Sequence, residues 1–413
     1  MKTLGIIAEY NPFHKGHLLQ IEKAKAQSGA DRVVVVMSGN FVQRGEPALL
    51  DKWTRTQMAL LNGVDLVLEL PVLYATASAE YFAMAAVKLL QDTGIVDILC
   101  FGSESGNLLD LQETANILTN ETLEFRQLLK EELDRGIVYP VARANAMGKI
   151  SPTSQNLLSS PNNILGIEYL KALSRLNSTI IPITIKREGA AYHNNQINQN
   201  LASATAIRKA TSRNASFEAL QHIPENCHEL FQRKVSLGMG PVFLQNFTAP
   251  LHYCLRTMDA KEIREVFEVT EGLENRILRS LDLHYEMKDI ISYIKTKRYT
   301  QTRIQRILLH IILGIKTKNV DYFNHHGYSP YLRVLGFRKK QDHLLKKLTT
   351  RSSIPVLTNL KKAPEQLDTH GLVMLNMERV ATDLYFMSSP NPLYRTPNQD
   401  YTTPMVMIPS EQA

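Results

Sequence analysis

The sequence predicts an α/β protein: a parallel sheet covered on both faces by helices, followed by a mainly helical second half. Two observations carry this. In the first half, short β-branched or apolar runs alternate with helical segments, the arrangement of parallel strands joined by crossover helices. From Phe217 to about Leu313 that alternation gives way to a mostly helical pattern. The expected division is residues 1–215 and 216–413.

Taken in order, TLGIIA (3–8) is a buried strand, and the segment after it carries Leu18, Ile21 and Ala24 at helical spacing. RVVVVM (32–37) is a second strand. DKWTRTQMALLNG is a helix with Asp51 as its N-cap and Gly63 as its stop. DLVLEL (65–70) is a third strand, and a long helix runs from Ser78 to near Gly94. DILCFG (97–102) is a fourth strand. Residues 164–174 are helical, TIIPITI (179–185) is a strand despite Pro182, and SATAIRKATS (203–212) opens a short helix. After Ser352, SIPVLTNL and GLVMLNM fit either strands or apolar helical pieces. The tail from Ser388, rich in Pro, Asn and Thr, is expected to pack loosely.

The bulk numbers narrow the function classes only a little. A net charge of +7 over 413 residues fits a polyanionic partner without requiring one. Cys100, Cys227 and Cys254 are odd in number and form no CxxC pair, so reduced thiols in a cytoplasmic protein are expected. No secretory signal is visible, and the apolar run ILLHIILGI (307–315) is too short to span a bilayer, so no membrane partner is expected.

The informative stretch is NPFHKGHLLQ, which joins the first strand to the first helix. A strand, a turn and a helix N-terminus make an anion site, because the free N–H groups of the first turn and the helix dipole both favour negative charge. Gly16 lets backbone approach a ligand. His14 and His17 share a face once the helix has begun, and imidazoles there can donate to phosphate oxygens. The chain has neither a GxxxxGK[ST] loop nor a GxGxxG after its first strand. The HxxH pair alone also fits two surface histidines, or half of a metal site for which no third ligand stands nearby.

HKGH resembles the (H/T)xGH signature of the HIGH-motif nucleotidyltransferase superfamily, and SATAIR resembles its second signature, SSTxxR, with Ala204 in place of the second serine. The longer blocks GIIAEYNPFHKGH, MSGNFVQRGEPALLDKWTR, FGSE and NNILGIEYLKAL are similar to the bacterial tRNA(Met) cytidine acetate ligase family over essentially the whole chain. The resemblance implies a Rossmann-like nucleotidyltransferase domain that uses ATP to activate acetate as acetyl-adenylate. The acetyl group then passes to the exocyclic amine of the wobble cytidine of elongator tRNA(Met). Mg²⁺ is expected with the ATP, and no carboxylate cluster marks a protein metal site.

On that resemblance, His14 and His17, with Lys15 adding charge, are the expected catalytic residues. The segment Ile7, Ala8, Glu9, Tyr10, Asn11, Pro12, Phe13, His14, Lys15, Gly16, His17, Leu18, Leu19 and Gln20 would wrap the nucleotide with its backbone. Gly102, at the end of the fourth strand, would bring backbone close to adenosine. Asn163 before a helix and Arg187 after the last strand would contact nucleotide, and Ser203, Thr205 and Arg208 would hold the β- and γ-phosphates. The polar loop 38–47 is expected to shape the acetate or cytidine pocket.

The second half carries two basic clusters. The first contains Lys295, Lys297, Arg298, Arg303 and Arg306. The second contains Arg333, Arg338, Lys339 and Lys340 and continues through Lys346, Lys347 and Arg351. Of these, Lys295, Lys297, Arg298, Arg303, Arg306, Arg338, Lys339 and Lys340 are the expected tRNA contacts, with Tyr299 and Phe337 interleaved for stacking on bases. Two other readings stay open at this point. A small-molecule adenylyltransferase would leave the basic half unexplained. A non-catalytic RNA-binding protein would leave the intact His14, Gly16, His17, Ser203, Thr205 and Arg208 unexplained.

Overall fold

A computed structural model of the chain describes residues 1–187, 203–213, 216–270, 272–296 and 299–409. The predicted alternation is present. Strand β1 is Thr3–Ala8, β2 is Arg32–Ser38, a small antiparallel hairpin is formed by β3 (Phe41–Val42) and β4 (Glu46–Pro47), and β5 is Leu66–Leu70. β6 is Ile98–Ser103 and β7 is Ile181–Lys186. β1 lies between β2 and β6, parallel to both, with Thr3 opposite Arg32 and Leu4 opposite Ile98. The first half thus forms the order β5-β2-β1-β6-β7, every pair parallel.

Strand β2 explains why both faces are covered. Val33, Val35 and Met37 point to one face, with Ile21 and Ala24 of the Lys15–Ser28 helix. Val34 and Val36 point to the other, with Phe82, Ala83 and Ala86 of the Ala79–Asp92 helix. Successive side chains alternate across a strand, so a continuous apolar run needs a core on each side. The helix signals also hold: Asp51 caps Lys52–Leu61 by accepting from Thr54 N–H, and Ser203 caps Ala204–Ser212 by accepting from Ala206 N–H.

The sheet does not stop at residue 215. Strand β8 (Leu332–Arg338) pairs antiparallel with β5, and both β9 (Val356–Leu357) and β10 (Val406–Ile408) pair parallel with β8. The sheet is therefore mixed and mostly parallel, and a boundary at 215 divides the chain but not the sheet. The tail expected to pack loosely instead supplies β10 and the buried Asp400. GLVMLNM lies within a long helix, Thr369–Met387.

The late strand is fixed by a buried ionic cluster. Lys52 Nζ lies 2.7 Å from Glu69 Oε1, 2.8 Å from Asp400 Oδ1 and 3.1 Å from Thr382 Oγ1. Arg333 bridges the same two acids, 2.8 Å from Glu69 Oε2 and 2.9 Å from Asp400 Oδ1. Arg333, offered from sequence as part of a basic surface, is thus a buried structural charge. The paired cations hold the Asp400 carboxyl down at about 2, against its burial. Glu378, buried beside this cluster and accepting from Val72 N–H, is pushed up to about 8 by burial and by the Glu69 charge.

Candidate active site

The HKGH turn sits where β1 ends and the Lys15–Ser28 helix begins, at the carboxyl edge of the sheet. Ligands bind at that edge in open parallel sheets. His14 is the helix N-cap, in extended conformation. Its Nδ1 accepts from Gly16 N–H at 3.1 Å, and His14 N–H donates to His17 Nδ1 at 3.3 Å. The two rings stack with centroids 3.7 Å apart. His17 also packs against Tyr10 and Phe13, whose side chains are buried in the core beneath the turn.

This geometry fixes the tautomers. Each Nδ1 accepts a backbone N–H, so each neutral ring carries its proton on Nε2. Burial holds His14 down to about 3, with the nearby charges of Arg187 and His222 adding to the effect. Burial, the neighbouring His14 and Arg187 lower His17 well below the usual histidine range. Both rings are therefore neutral hydrogen-bond donors at neutral pH. Gly16 is needed here because a Cβ would lie 2.9 Å from His14 Cε1.

The other nucleotide candidates gather around the same edge. The Arg187 backbone N–H donates to Ser103 O at 2.9 Å, and its side chain lies over Gly102, where an added Cβ would meet Arg187 Cγ at 3.1 Å. Burial lowers the Arg187 guanidinium's pKa, and nearby Glu104 opposes that shift. Glu104 in turn is tied to the Pro161–Arg175 helix: Asn163 N–H donates to Glu104 Oε2 at 2.7 Å, and Asn163 Oδ1 accepts from Glu104 and Ser105 N–H. Asn163 is buried and braces this loop.

Arg208 reaches the HKGH turn from the other side. Its Nη1 donates to Asn11 Oδ1 at 2.8 Å, and its Nη2 pairs with Glu46 Oε2 at 2.7 Å. Arg44 Nη1 donates to Thr205 Oγ1 at 3.4 Å. The β3–β4 hairpin thus grips the helix that carries the second signature. Ser203 is exposed and caps that helix, while Lys15 is half-buried and its backbone N–H donates to His222 O at 2.8 Å. Ile7, Ala8 and Glu9 are half-buried at the end of β1. Pro12 is buried within the turn, and Leu18, Leu19 and Gln20 lie half-buried in the helix that follows.

Sequence reasoning missed Arg55. Its guanidinium is fully buried and donates to the carbonyls of Leu50, Glu9, Ser38 and Gly39, tying the ends of β1 and β2 together behind the turn. Burial lowers it only to about 10, so it stays cationic. The basic run offered a signal in DKWTR, but nothing local distinguishes this arginine from a surface one.

The basic clusters divide sharply. Lys295, Lys339 and Lys340 are exposed, and Arg338 is half-buried near Asp65. Arg306 is not a surface cation. It is buried, and its Nε donates to both Glu268 oxygens at 3.1 and 2.9 Å. Arg303 is half-buried over the Tyr299 ring and donates to Glu268 O. Tyr299 and Phe337 are both buried and so cannot stack on bases. The helix Gln301–Leu313 turns its apolar face, including Ile304, Ile307 and Leu308, into the core, which draws these neighbours inward. Lys297 and Arg298 lie outside the described residues. Among the described residues no group of three or more His, Cys, Asp or Glu could hold a metal, and no helix is long and apolar enough to cross a membrane.

Comparison with known proteins shows the family. The HIGH Nucleotidyl Transferase family matches residues 1–400. A tRNA(Met) cytidine acetate ligase from Acetivibrio thermocellus is 45% identical over 415 residues, covering 99% of this chain and 100% of that protein. The chain belongs to the tRNA(Met) cytidine acetate ligase family. A second member, from Halothermothrix orenii, is 41% identical over 420 residues, covering 98% of this chain and 99% of that protein. The crystal structure of Thermotoga maritima TmcAL bound with alpha-thio ATP matches with a TM-score of 0.92 and 33% identity. It covers 99% of this chain and 100% of that one. The apo form of the same protein gives a TM-score of 0.93. The fold of that structure is thus shared along 99% of this chain.

Proposed function

We propose that this family member uses ATP to activate acetate as acetyl-adenylate and transfers the acetyl group to the exocyclic amine of the wobble cytidine of elongator tRNA(Met), in the cytoplasm. The observation that carries the reading is the pair of neutral Nε2–H donors of His14 and His17, held at a helix N-terminus with Arg187 and Arg208 on either side. In-line attack on a phosphorus gains mostly from positioning and from charge compensation. Donors that are already oriented can stabilise charge developing on the phosphate without reorganising at the moment of reaction.

Acetate attacks the α-phosphorus, an oxygen–phosphorus bond forms, and pyrophosphate leaves with the bonding pair. Arg208 would bind that leaving group, exchanging Glu46 for phosphate oxygens. Gly102, Asn163 and Arg187 would border the nucleoside end, and Ser203 and Thr205 the phosphate end. Mg²⁺ would neutralise triphosphate charge, and the donor set fits an ion carried mainly by phosphate oxygens rather than a protein cage. The tRNA would be approached by exposed Lys295, Lys339 and Lys340, with Arg338 at the edge.

The test is acetate-dependent exchange of labelled pyrophosphate into ATP, followed by transfer of labelled acetate to elongator tRNA(Met). Exchange that requires acetate, with acetyl label appearing in the tRNA, is the expected result. Transfer of AMP to a small molecule instead would replace this reading with an adenylyltransferase.

A further inference from the structure

The second half-reaction, on the function proposed above, must remove a proton. When the cytosine amine attacks the acetyl carbon, a C–N bond forms and the C–O bond to phosphate breaks. AMP leaves with the electron pair, and one amine proton has to go elsewhere. His14 and His17 cannot accept it, because the Nδ1 of each is occupied by a backbone N–H and the Nε2 of each already carries a proton. The nearby carboxylates are also committed. Glu104 accepts from Asn162 and Asn163, Asp51 caps a helix through Thr54, and Glu46 is paired with Arg208.

One carboxylate at this edge is different. Glu9 follows β1 directly, and its Oε1 accepts from Gln43 N–H at 2.8 Å, which turns the side chain toward the β3–β4 hairpin. Its other oxygen accepts no hydrogen bond from another described residue. The hairpin is also where the C-terminal half meets the site: at Gly45 an added Cβ would lie 2.4 Å from the Arg306 backbone nitrogen. On the proposed function, a substrate held by the C-terminal half would therefore approach the nucleotide edge beside this hairpin.

We propose that Glu9 is the general base that takes the proton from the exocyclic amine as the acetyl group is transferred. Burial supports the assignment, because it raises this carboxyl toward neutrality, where a general base works best. The charged and titratable groups facing it are Arg44 and Glu46 on the hairpin, Arg208 on the Ala204–Ser212 helix, Arg55 on the Lys52–Leu61 helix and Tyr169 on the Pro161–Arg175 helix.

The experiment compares full-length wild type with Glu9→Gln and Glu9→Asp in two assays: acetate-dependent pyrophosphate–ATP exchange, and single-turnover acetyl transfer from preformed acetyl-adenylate to elongator tRNA(Met). Glutamine keeps an acceptor for Gln43 N–H, so the fold of the turn is retained. The expected result is a transfer-to-exchange ratio about 10²-fold lower in Glu9→Gln, the usual worth of a general base, with partial recovery in Glu9→Asp. Wild-type transfer should fall as the pH drops through the carboxyl's pKa, and Glu9→Gln should lack that limb. Equal loss in both assays, or undiminished transfer by Glu9→Gln, overturns the proposal. Absence of acetate-dependent exchange in the wild type overturns the acetate-ligase reading itself, and this assignment with it.

Discussion

Two charged regions of this molecule obey opposite rules. Around Lys52, Glu69, Arg333 and Asp400, cations and acids interlock in the core. Around the HKGH turn, protein bonds fix one nitrogen of each histidine and leave the other as a donor. The first region spends its charge on joining two halves of one sheet. The second is held rigid by backbone bonds while keeping its chemistry unspent. Residue type does not separate the two, because lysine, arginine and glutamate occur in both. Unused hydrogen-bonding capacity at a fixed position does.

Breaking each region should therefore fail differently. His17→Ala removes one oriented donor, and acetate-dependent exchange should fall by about 10²–10³-fold, measured at saturating ATP. Lys52→Met leaves Glu69 and Asp400 buried beside fewer cations. Urea unfolding should show a loss of about 3–5 kcal/mol. Arg306→Met should likewise lose stability, about 3 kcal/mol, by stranding Glu268. A loss of tRNA affinity with no loss of stability in that variant would return Arg306 to the RNA-facing set.

The pH dependence sharpens the contrast. The folded pKa of Glu378 is raised to about 8, so the unfolded chain ionises first as pH rises. That group's contribution to stability is present at low pH and is lost between the ordinary glutamate value and about 8. Glu378→Gln should therefore gain stability relative to wild type between pH 5 and pH 8, measured as the difference in unfolding midpoint. The smallest effect belongs to the surface. Lys339→Glu with Lys340→Glu should weaken tRNA binding several-fold at low salt and reduce the salt dependence of binding. Binding that keeps its full salt slope would place the RNA elsewhere.

What could be read from sequence followed from how local each signal was. HKGH, Gly16 and the strand before them lie within one short stretch, and the strand–turn–helix arrangement follows from it. The second signature and its Ser203 cap are equally local. Arg333 and Asp400 were illegible because their partners, Glu69 and Lys52, lie far away along the chain, and each alone is an ordinary charged residue. β8 was hidden for a related reason. Its apolar core, VLGF, is flanked by Arg333 and Arg338 in a basic run, and it enters the sheet antiparallel, without a crossover unit to announce it. Arg306 was misread because helical spacing places its neighbours in the core, and nothing in its own stretch supplies the acid that draws it in.

The late strands bear on how the protein is made. On the ribosome, β5 emerges early and waits with its outer edge unpaired until β8 is synthesised, and β8 in turn waits for β10. Lys52 and Glu69 wait with it for Arg333 and Asp400. A chain released before these segments would carry unmatched charges and an open edge able to pair with other chains. The sheet on which the HKGH turn is mounted is thus completed only when β8 and β10, which lie far along the chain from β5, have joined it.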